Sequence, residues 1–328
     1  MRLNRSTAIV IQVTTIACLI AVLQMLRLPS HTYLWREIHN LGHTPIFGII
    51  ALAVLGMSRR LLDKRISNLW SHYALAFIVS VGIGLIIELV QMVGPRDASA
   101  EDLLRDTAGA AGFLGLHCFY CSGSAISLAG PRLRRRLIAF SALLVLLLSS
   151  TPVLFWTAAY LHRSSKAPYI TSFDGVLGRA FIELNNAKFT SVSLSEPAAA
   201  AIDGPISSVA FYPGEYSEIK IVEPFPDWRQ YDSLQFDVLV QEDTAILLTI
   251  RIDDRHHRGD PLDRFNRTEI VQPGWHRLVI SLNDVRTAPK NRRMDMAAIR
   301  DIHLFLSGIK KRVTLFFSDL ILVRNNSE

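Results

Sequence analysis

The sequence predicts a multi-domain membrane protein, with an α-helical transmembrane bundle of about five spans followed by an all-β jelly-roll sandwich. Three observations carry this. The chain has 328 residues, half of them hydrophobic and a fifth charged, which is long enough for two domains. Its apolar residues form long runs before residue 160 and short alternating segments after it. Its charge is also uneven: residues 1–162 carry 14 Lys/Arg against 7 Asp/Glu, whereas residues 163–328 carry 21 against 22. The formal net charge of +6 therefore belongs to the first half, and the near-neutral second half is no nucleic-acid footprint. The composition excludes a disordered chain, a collagen-like chain and a disulfide-stapled mini-protein. The expected division is a helical domain over 1–160, a connector over 161–169 and a β domain over 170–328.

Apolar stretches lie near 8–27, 43–57, 73–93, 107–128 and 137–158. Crossing ~30 Å of hydrocarbon takes ~20 residues, which four of them reach easily and the second reaches only at its edges. The first follows Arg2 and Arg5 but has no A-x-A-like cleavage site, so it reads as an uncleaved helix. Basic clusters stand at Arg2 and Arg5, at Arg59, Arg60, Lys64 and Arg65, and at Arg132, Arg134, Arg135 and Arg136. Five spans put all three on one side, the cytoplasmic one. The N-terminus is then cytoplasmic, and everything after residue 160 is extracytoplasmic.

Polar residues inside the apolar half are the more informative ones. Glu88 interrupts SVGIGLIIELVQMVG, where a charge costs at least ~2.5 kcal/mol and usually faces the bundle interior. Gln91 shares its helix face at i+3. His43 opens the second span, Arg96 follows Gly94-Pro95, and Asp102 and Asp106 stand one turn apart at the head of the fourth. Topology assigns all six to the outer end of the bundle.

In the order His43, IIELVQMVGPR (86–96) and EDLLRDTAGAAG (101–112), residues 36–116 resemble the VanZ-like family of small bacterial membrane proteins. His43, Glu88, Gln91, Arg96, Asp102 and Gly109 fit its pattern. Asp106 stands where Asn is usual, and His39-Asn40 where Asp-Lys is usual. The resemblance implies a multi-pass protein of the bacterial inner membrane, in contact with membrane lipids and linked to glycopeptide or envelope-stress resistance. It brings no agreed reaction. Three readings of the cluster stay open: helix-tying structure, a binding site for a polar envelope molecule, or catalysis with His43 and Glu88 as an acid–base pair beside Asp102. Cys118 and Cys121 form one C-x-x-C after His117, with Cys18 in the first span, and read as ordinary thiols.

From Ala167 the period changes. LQFDVLVQ (234–241), AILLTIRI (245–252), WHRLVISL (275–282), IHLFLS (302–307) and VTLFFSDLILV (313–323) alternate as strands. Pro213-Gly214 and Pro273-Gly274 mark turns, and a short MDMAAIR turn lies near 294–300. Antiparallel strands over about 160 residues make a two-sheet jelly roll. From PDWRQYDSLQFDVLV through DRFNRTEIVQPGWHRLVISLNDV to TLFFSDLILV, residues 170–323 resemble carbohydrate-binding jelly rolls of the galactose-binding-like type. The fold itself hosts many functions. Within it the loop DDRHHRGDPLDRFN (253–266) is densely charged. Asp253, Asp254, His256, His257 and Arg264 are candidate glycan contacts, with Trp228 or Phe265 as an aromatic platform; a solvated loop or a cation site are the alternatives. Trp275, Met294 and Met296 read as packing residues.

The expected role is recognition or handling of an extracytoplasmic glycan or lipid-linked envelope precursor, without a cofactor or a nucleic-acid partner. A membrane enzyme using Glu88, His43 and Asp102, and an anchored protein-interaction scaffold, are the alternatives. P-loop, Rossmann and zinc-protease motifs are absent from the sequence.

Overall fold

Helices α1 (Arg5–Met25), α2 (Tyr33–Leu41), α3 (His43–Leu62), α4 (Leu69–Val93), α5 (Ala100–Cys121) and α6 (Arg132–Ser165) fill the first half of the chain. The computed structural model describes residues 4–26, 32–93, 99–121, 132–173, 175–191, 206–224 and 227–324. It divides into two compact units, Met1–Thr157 and Ala158–Glu328.

In the helical unit Thr32 caps α2 by accepting the Trp35 N–H at 3.3 Å, and α3 follows after Gly42 alone. The tightest approach is between α3 and α5. A β-carbon at Gly109 would lie 2.0 Å from the Thr44 carbonyl oxygen, and one at Gly48 would lie 2.4 Å from the Phe113 ring. Small residues here let two backbones come together, as in helix pairs within lipid. Phe47, Ile50, Ala51, Leu55, Ala76, Ala110 and Leu114 form the buried interior.

Among the described residues, four stretches are long and apolar enough to cross a membrane: Arg5–Met25, Tyr33–Leu62, Leu69–Val93 and Arg136–Ser165. The fourth expected span is not among them. Its helix, α5, begins at Ala100 rather than 107, and carries Glu101, Asp102, Arg105 and Asp106 in its first two turns. Asp106 and Arg105 are buried inside the bundle, so these polar groups are hidden by protein rather than diluted by apolar neighbours.

The second unit begins within the last turns of α6. Tyr160 donates to the Glu223 carboxylate, Arg163 donates to the Glu223 carbonyl, and the Arg163 guanidinium lies 3.7 Å from the Phe181 ring centre. The expected connector is thus helical through Ser165, with only residues 166–168 before the first strand.

The strands are β1 (Tyr169–Thr171), β2 (Ile182–Asn185), β3 (Ala187–Thr190), β4 (Ile206–Phe211), β5 (Gly214–Val222), β6 (Ser233–Val240), β7 (Ile246–Asp254), β8 (Phe265–Val271), β9 (Gly274–Ser281), β10 (Ile299–Ile309), β11 (Val313–Ser318) and β12 (Leu320–Val323). A single helical turn, α7 (Gly175–Gly178), follows β1, and a short helix, α8 (Leu282–Thr287), follows β9. The expected MDMAAIR segment is irregular with a turn at 296–297, and β10 already starts at Ile299. The helix forms one segment earlier, where Ser281 caps α8 by accepting the Asp284 N–H.

All pairings are antiparallel, in two sheets. One runs β1-β12-β6-β11-β4-β3, with β9 on the other edge of β6; the second runs β2-β5-β10-β7-β8. Alternation explains the packing. Ile302, Leu304 and Leu306 of β10, Leu248, Ile250 and Ile252 of β7, and Ile219 and Ile221 of β5 point into the core. There they meet Phe236, Val238, Val240, Leu315 and Phe317 of the first sheet. Burying such a set in a two-sheet interior is the main stabilising contribution, at ~25 cal/mol per Å² of apolar area.

Candidate functional site

The helical unit brings part of its predicted polar set together. His43 Nδ1 lies 2.9 Å from Asp106 Oδ1, both buried, and Asp106 is only 1 % exposed. Glu88 and Asp102 are near enough to act electrostatically on Asp106. Glu88 is buried; its Oε2 accepts the Ser99 N–H at 2.8 Å, while its Oε1 has no hydrogen-bond partner among the described residues. Gln91 and Asp102 are half-buried, and Arg96 lies outside the described residues. Two members were missed by sequence reading. Buried Arg105 donates to Glu37 of α2 at 2.8 Å and to Asp102 at 3.3 Å. The signal was there: Arg105 follows Asp102 at i+3 on one helix face. The His43–Asp106 geometry can hold a proton and orient the imidazole.

In the β unit the structure redistributes the expected residues. Trp228 is fully buried in the core, with its N–H donating to the Met296 carbonyl at 2.6 Å, so it offers no face to a sugar. Phe265 is buried in the same core. Met294 and Met296 are buried there too, and Trp275 is half-buried.

The 253–266 loop is not merely solvated, because its carboxylates are knitted to arginines. Arg292 donates to Asp254 at 2.8 Å and to Asp263 at 3.1 Å, and the Asp295 N–H reaches Asp254 at 2.8 Å. Burial raises the Asp254 carboxyl, but Arg292 and the donated N–H groups outweigh it and leave it below the usual carboxylate range. His257 is buried: Gly259 N–H donates to its Nε2 at 3.1 Å, and its Nδ1 faces the Asp263 carbonyl at 2.9 Å. His256 is exposed, 3.6 Å from Asp295, and borders a shallow depression with Arg258 and Arg292.

Sequence reading overlooked the outward face of the five-stranded sheet. Register puts the alternate residues of its strands in rows across it. One row runs Glu183, Lys220, His303, Arg251, Asn266; the next runs Asn185, Glu218, Phe305, Thr249, Thr268. Tyr216 is 54 % exposed and packs edge-on against Phe305, with ring centres 6.0 Å apart. Thr249 and Thr268 share a hydroxyl hydrogen bond of 2.9 Å, and Leu247 and Ile270 are exposed opposite one another.

The acids of this face have partners. Lys220 donates to Glu183 at 3.2 Å, and Arg251 donates twice to Asp253, at 2.6 and 3.2 Å. Arg300 donates to Asp301 at 2.8 Å, and His303 Nδ1 is bonded to Glu218. Burial raises Asp253, yet the nearby His303 imidazole, 3.4 Å away, and the two bonds from Arg251 drive it well below the usual range. The His303 bond pulls the Glu218 carboxyl down as well, against its burial. Burial lowers His303, but the Asp253 carboxylate 3.4 Å from its Nε2 and the bond to Glu218 raise it above the ordinary imidazole range.

Asp253, Asp301 and His303 each offer an atom within 4.8 Å of the others, a spacing compatible with a metal ion. Arg251, Arg300 and Lys220 stand against the same carboxylates, so a bound cation would have to displace them. Elsewhere in this unit a cavity of about 780 Å³ is lined by His162, Lys166, Tyr169, Asp237 and Arg277, and there Arg277 donates to Asp237 at 2.8 Å.

No protein-family model matches the chain, and no curated protein matches it. The VanZ-like resemblance of residues 36–116 therefore stands on the order of its motif residues alone. Similar solved structures include an exo-β-agarase, 15 % identical over 49 % of this chain and 25 % of that one, with a TM-score of 0.39. A family 11 carbohydrate-binding module from Clostridium thermocellum, in complex with a β-1,3-1,4-mixed-linked tetrasaccharide, is 16 % identical over 48 % of this chain and 94 % of its own, with a TM-score of 0.35. TmCBM61 in complex with β-1,4-galactotriose is 14 % identical over 44 % and 87 %, with a TM-score of 0.29. The chain spans a quarter of the length of the agarase it matches.

Proposed function

We propose that this chain is a glycan-recognition protein carried by a membrane-spanning helical bundle, and that the glycan lies on the outward face of the five-stranded sheet. The observation that carries the reading is the exposed Tyr216 packed on Phe305 beside rows of planar and hydroxyl side chains. An aromatic surface takes the apolar C–H face of a sugar ring, while flanking amide, hydroxyl and guanidinium groups take its hydroxyls. The face is built on strands, which hold such groups more rigidly than a loop does.

The finer reading belongs to the same proposal: a bacterial inner-membrane protein whose β unit is extracytoplasmic and meets an envelope glycan or lipid-linked precursor. With α5 crossing beside the four apolar stretches, the basic clusters at Arg5, at Arg59–Arg60 and at Arg132–Arg136 fall on one side and support the orientation. The VanZ-like order of His43, Glu88, Gln91 and Asp102 supports the envelope setting.

The test is binding of the full chain, in detergent micelles, to immobilised polysaccharides and peptidoglycan fragments. Tyr216→Ala is expected to weaken a saturable interaction at least ~10-fold, the scale of losing one well-stacked aromatic. Unchanged binding by a folded Tyr216→Ala, Phe305→Ala double variant would remove the face from consideration. Cleavage or transfer of the bound glycan, lost in Glu88→Gln, would favour the enzyme reading instead.

A further inference from the structure

The outward face of the five-stranded sheet carries four acids, and each is matched to its own basic side chain: Glu183 with Lys220, Glu218 with His303, Asp253 with Arg251, and Asp301 with Arg300. Arg264 is left over. It directly precedes β8, and two-residue alternation with Asn266 and Thr268 sets it on the same face, next in line after the Ile252–Phe265 pair and therefore beside Asp253. Among the described residues its guanidinium makes no hydrogen bond, and its Nε is buried without a partner. It stands close enough to Arg251, Asp253, the Tyr216 hydroxyl and Asp260 to interact with each electrostatically, but is hydrogen-bonded to none of them.

A buried, unanswered N–H on a guanidinium is costly, and a second guanidinium nearby adds repulsion. Both costs fall when an anion arrives. Carboxylate and sulfate oxygens match the two-pronged donor geometry of arginine, whereas a sugar hydroxyl brings no charge.

We infer that the glycan taken by this face is an acidic one, whose carboxylate or sulfate group is received by Arg264 while a neighbouring ring lies against Tyr216 and Phe305. The inference rests on the glycan-binding reading above and adds its chemical class. It also assigns to Arg264 a selecting role distinct from the stacking role of Tyr216.

The experiment uses the full chain in detergent with matched polymers: polygalacturonate and its carboxyl-reduced form, and a sulfated and a desulfated galactan. The expected result is at least ~10-fold tighter binding to one charged polymer than to its neutral partner, weakening as salt is raised. Arg264→Gln should erase that preference, Arg264→Lys should restore part of it, and Tyr216→Ala should weaken both polymers of the pair. Equal affinity within both pairs, or a preference untouched by Arg264→Gln, overturns the acidic assignment and leaves glycan recognition standing. Binding of no polymer by the folded wild type, or a Tyr216→Ala variant that binds both as well as wild type, overturns the face itself and the acidic assignment with it.

Discussion

The two units bury charge in opposite ways. In the helical unit the buried ionisable groups answer one another across helices, His43 to Asp106 and Arg105 to Glu37, and Glu88 keeps one carboxylate oxygen unanswered among the described residues. In the β unit Asp253 and Asp254 are equally inaccessible, yet arginines from the rim clamp each of them. The difference follows from where partners can come from. A strand or loop at a sandwich rim lets a long side chain reach inward while its stem stays near water. A helix inside a bundle has only its own next turn, as Arg105 has Asp102, and the facing helices to draw on. Polar groups are therefore densely cross-linked where solvent is close and sparsely matched where it is not, and the sparse matches depend on close helix approach.

That contrast can be broken most severely at Gly109. Gly109→Leu would drive a side chain into the Thr44 carbonyl and separate α3 from α5, taking the His43–Asp106 pair with it. Overpacking against backbone is expected to cost about 3 kcal/mol or more, seen as loss of monodisperse protein in detergent. Gly82→Leu is the control, since nothing lies within 4 Å of its β-carbon position. A Gly109→Leu protein as well behaved as that control would mean the contact does not hold the helices together.

A middle-sized effect is expected at the rim. Arg292→Ala leaves the Asp254 carboxylate buried with only backbone N–H donors, from His256 and Asp295. The expected cost is about 3 kcal/mol, read by pulse proteolysis of the β unit in urea. A cost below about 1 kcal/mol would show that the loop clamp is ornamental, as exposed ion pairs commonly are.

The smallest effect sharpens the comparison through pH. The folded His303 lies above its unfolded value of ~6.5, so its stabilisation is complete below that value and fades as pH rises through the raised one. Asp253 and Asp254 are lowered, so their contribution is present above ~3.9 and fades as pH falls through their folded values. The β unit should resist urea best between these limits and weaken as pH rises above ~6.5. His303→Gln should flatten the alkaline arm and spare the acid one. An alkaline arm equally steep in His303→Gln would assign it to another group.

Strand periodicity made the sandwich legible. LQFDVLVQ and IHLFLS alternate, and β6 takes in the first but for Gln241 while β10 includes the whole of the second. What a single strand cannot declare is its neighbours. His303 and Phe305 were visible as the outward residues of their segment, but their meeting with Glu218, Arg251 and Tyr216 depends on β10 lying between β5 and β7. Aromatic type was equally silent about exposure. Trp228 and Tyr216 both suit a sugar platform by chemistry, and only packing tells that the first is in the core and the second outside it. Arg264 stood among the candidates as one charge in a crowded loop, and its lack of a hydrogen-bond partner emerges only once the acids of the sheet face are matched. In the helices, Glu88, Asp102 and Asp106 were readable as costly residues, while the Arg105–Glu37 bond joins positions 68 apart and left no local trace.

The pairing of β1 with β12 has a consequence in time. Tyr169 faces Ile321, so the first strand of the sandwich waits for the last before its edge is covered. At 5–20 residues per second, the roughly 150 residues between them emerge from the ribosome over on the order of ten seconds. Throughout that interval β1 presents open backbone groups, and β6, which later bonds β12 along one edge, is half-edged as well. The helices of the first unit are already complete by then, so formation of the bundle and closure of the sandwich are separated in order. A stalled or shortened chain would present its surroundings with unfinished strand edges rather than with a smaller version of the same domain.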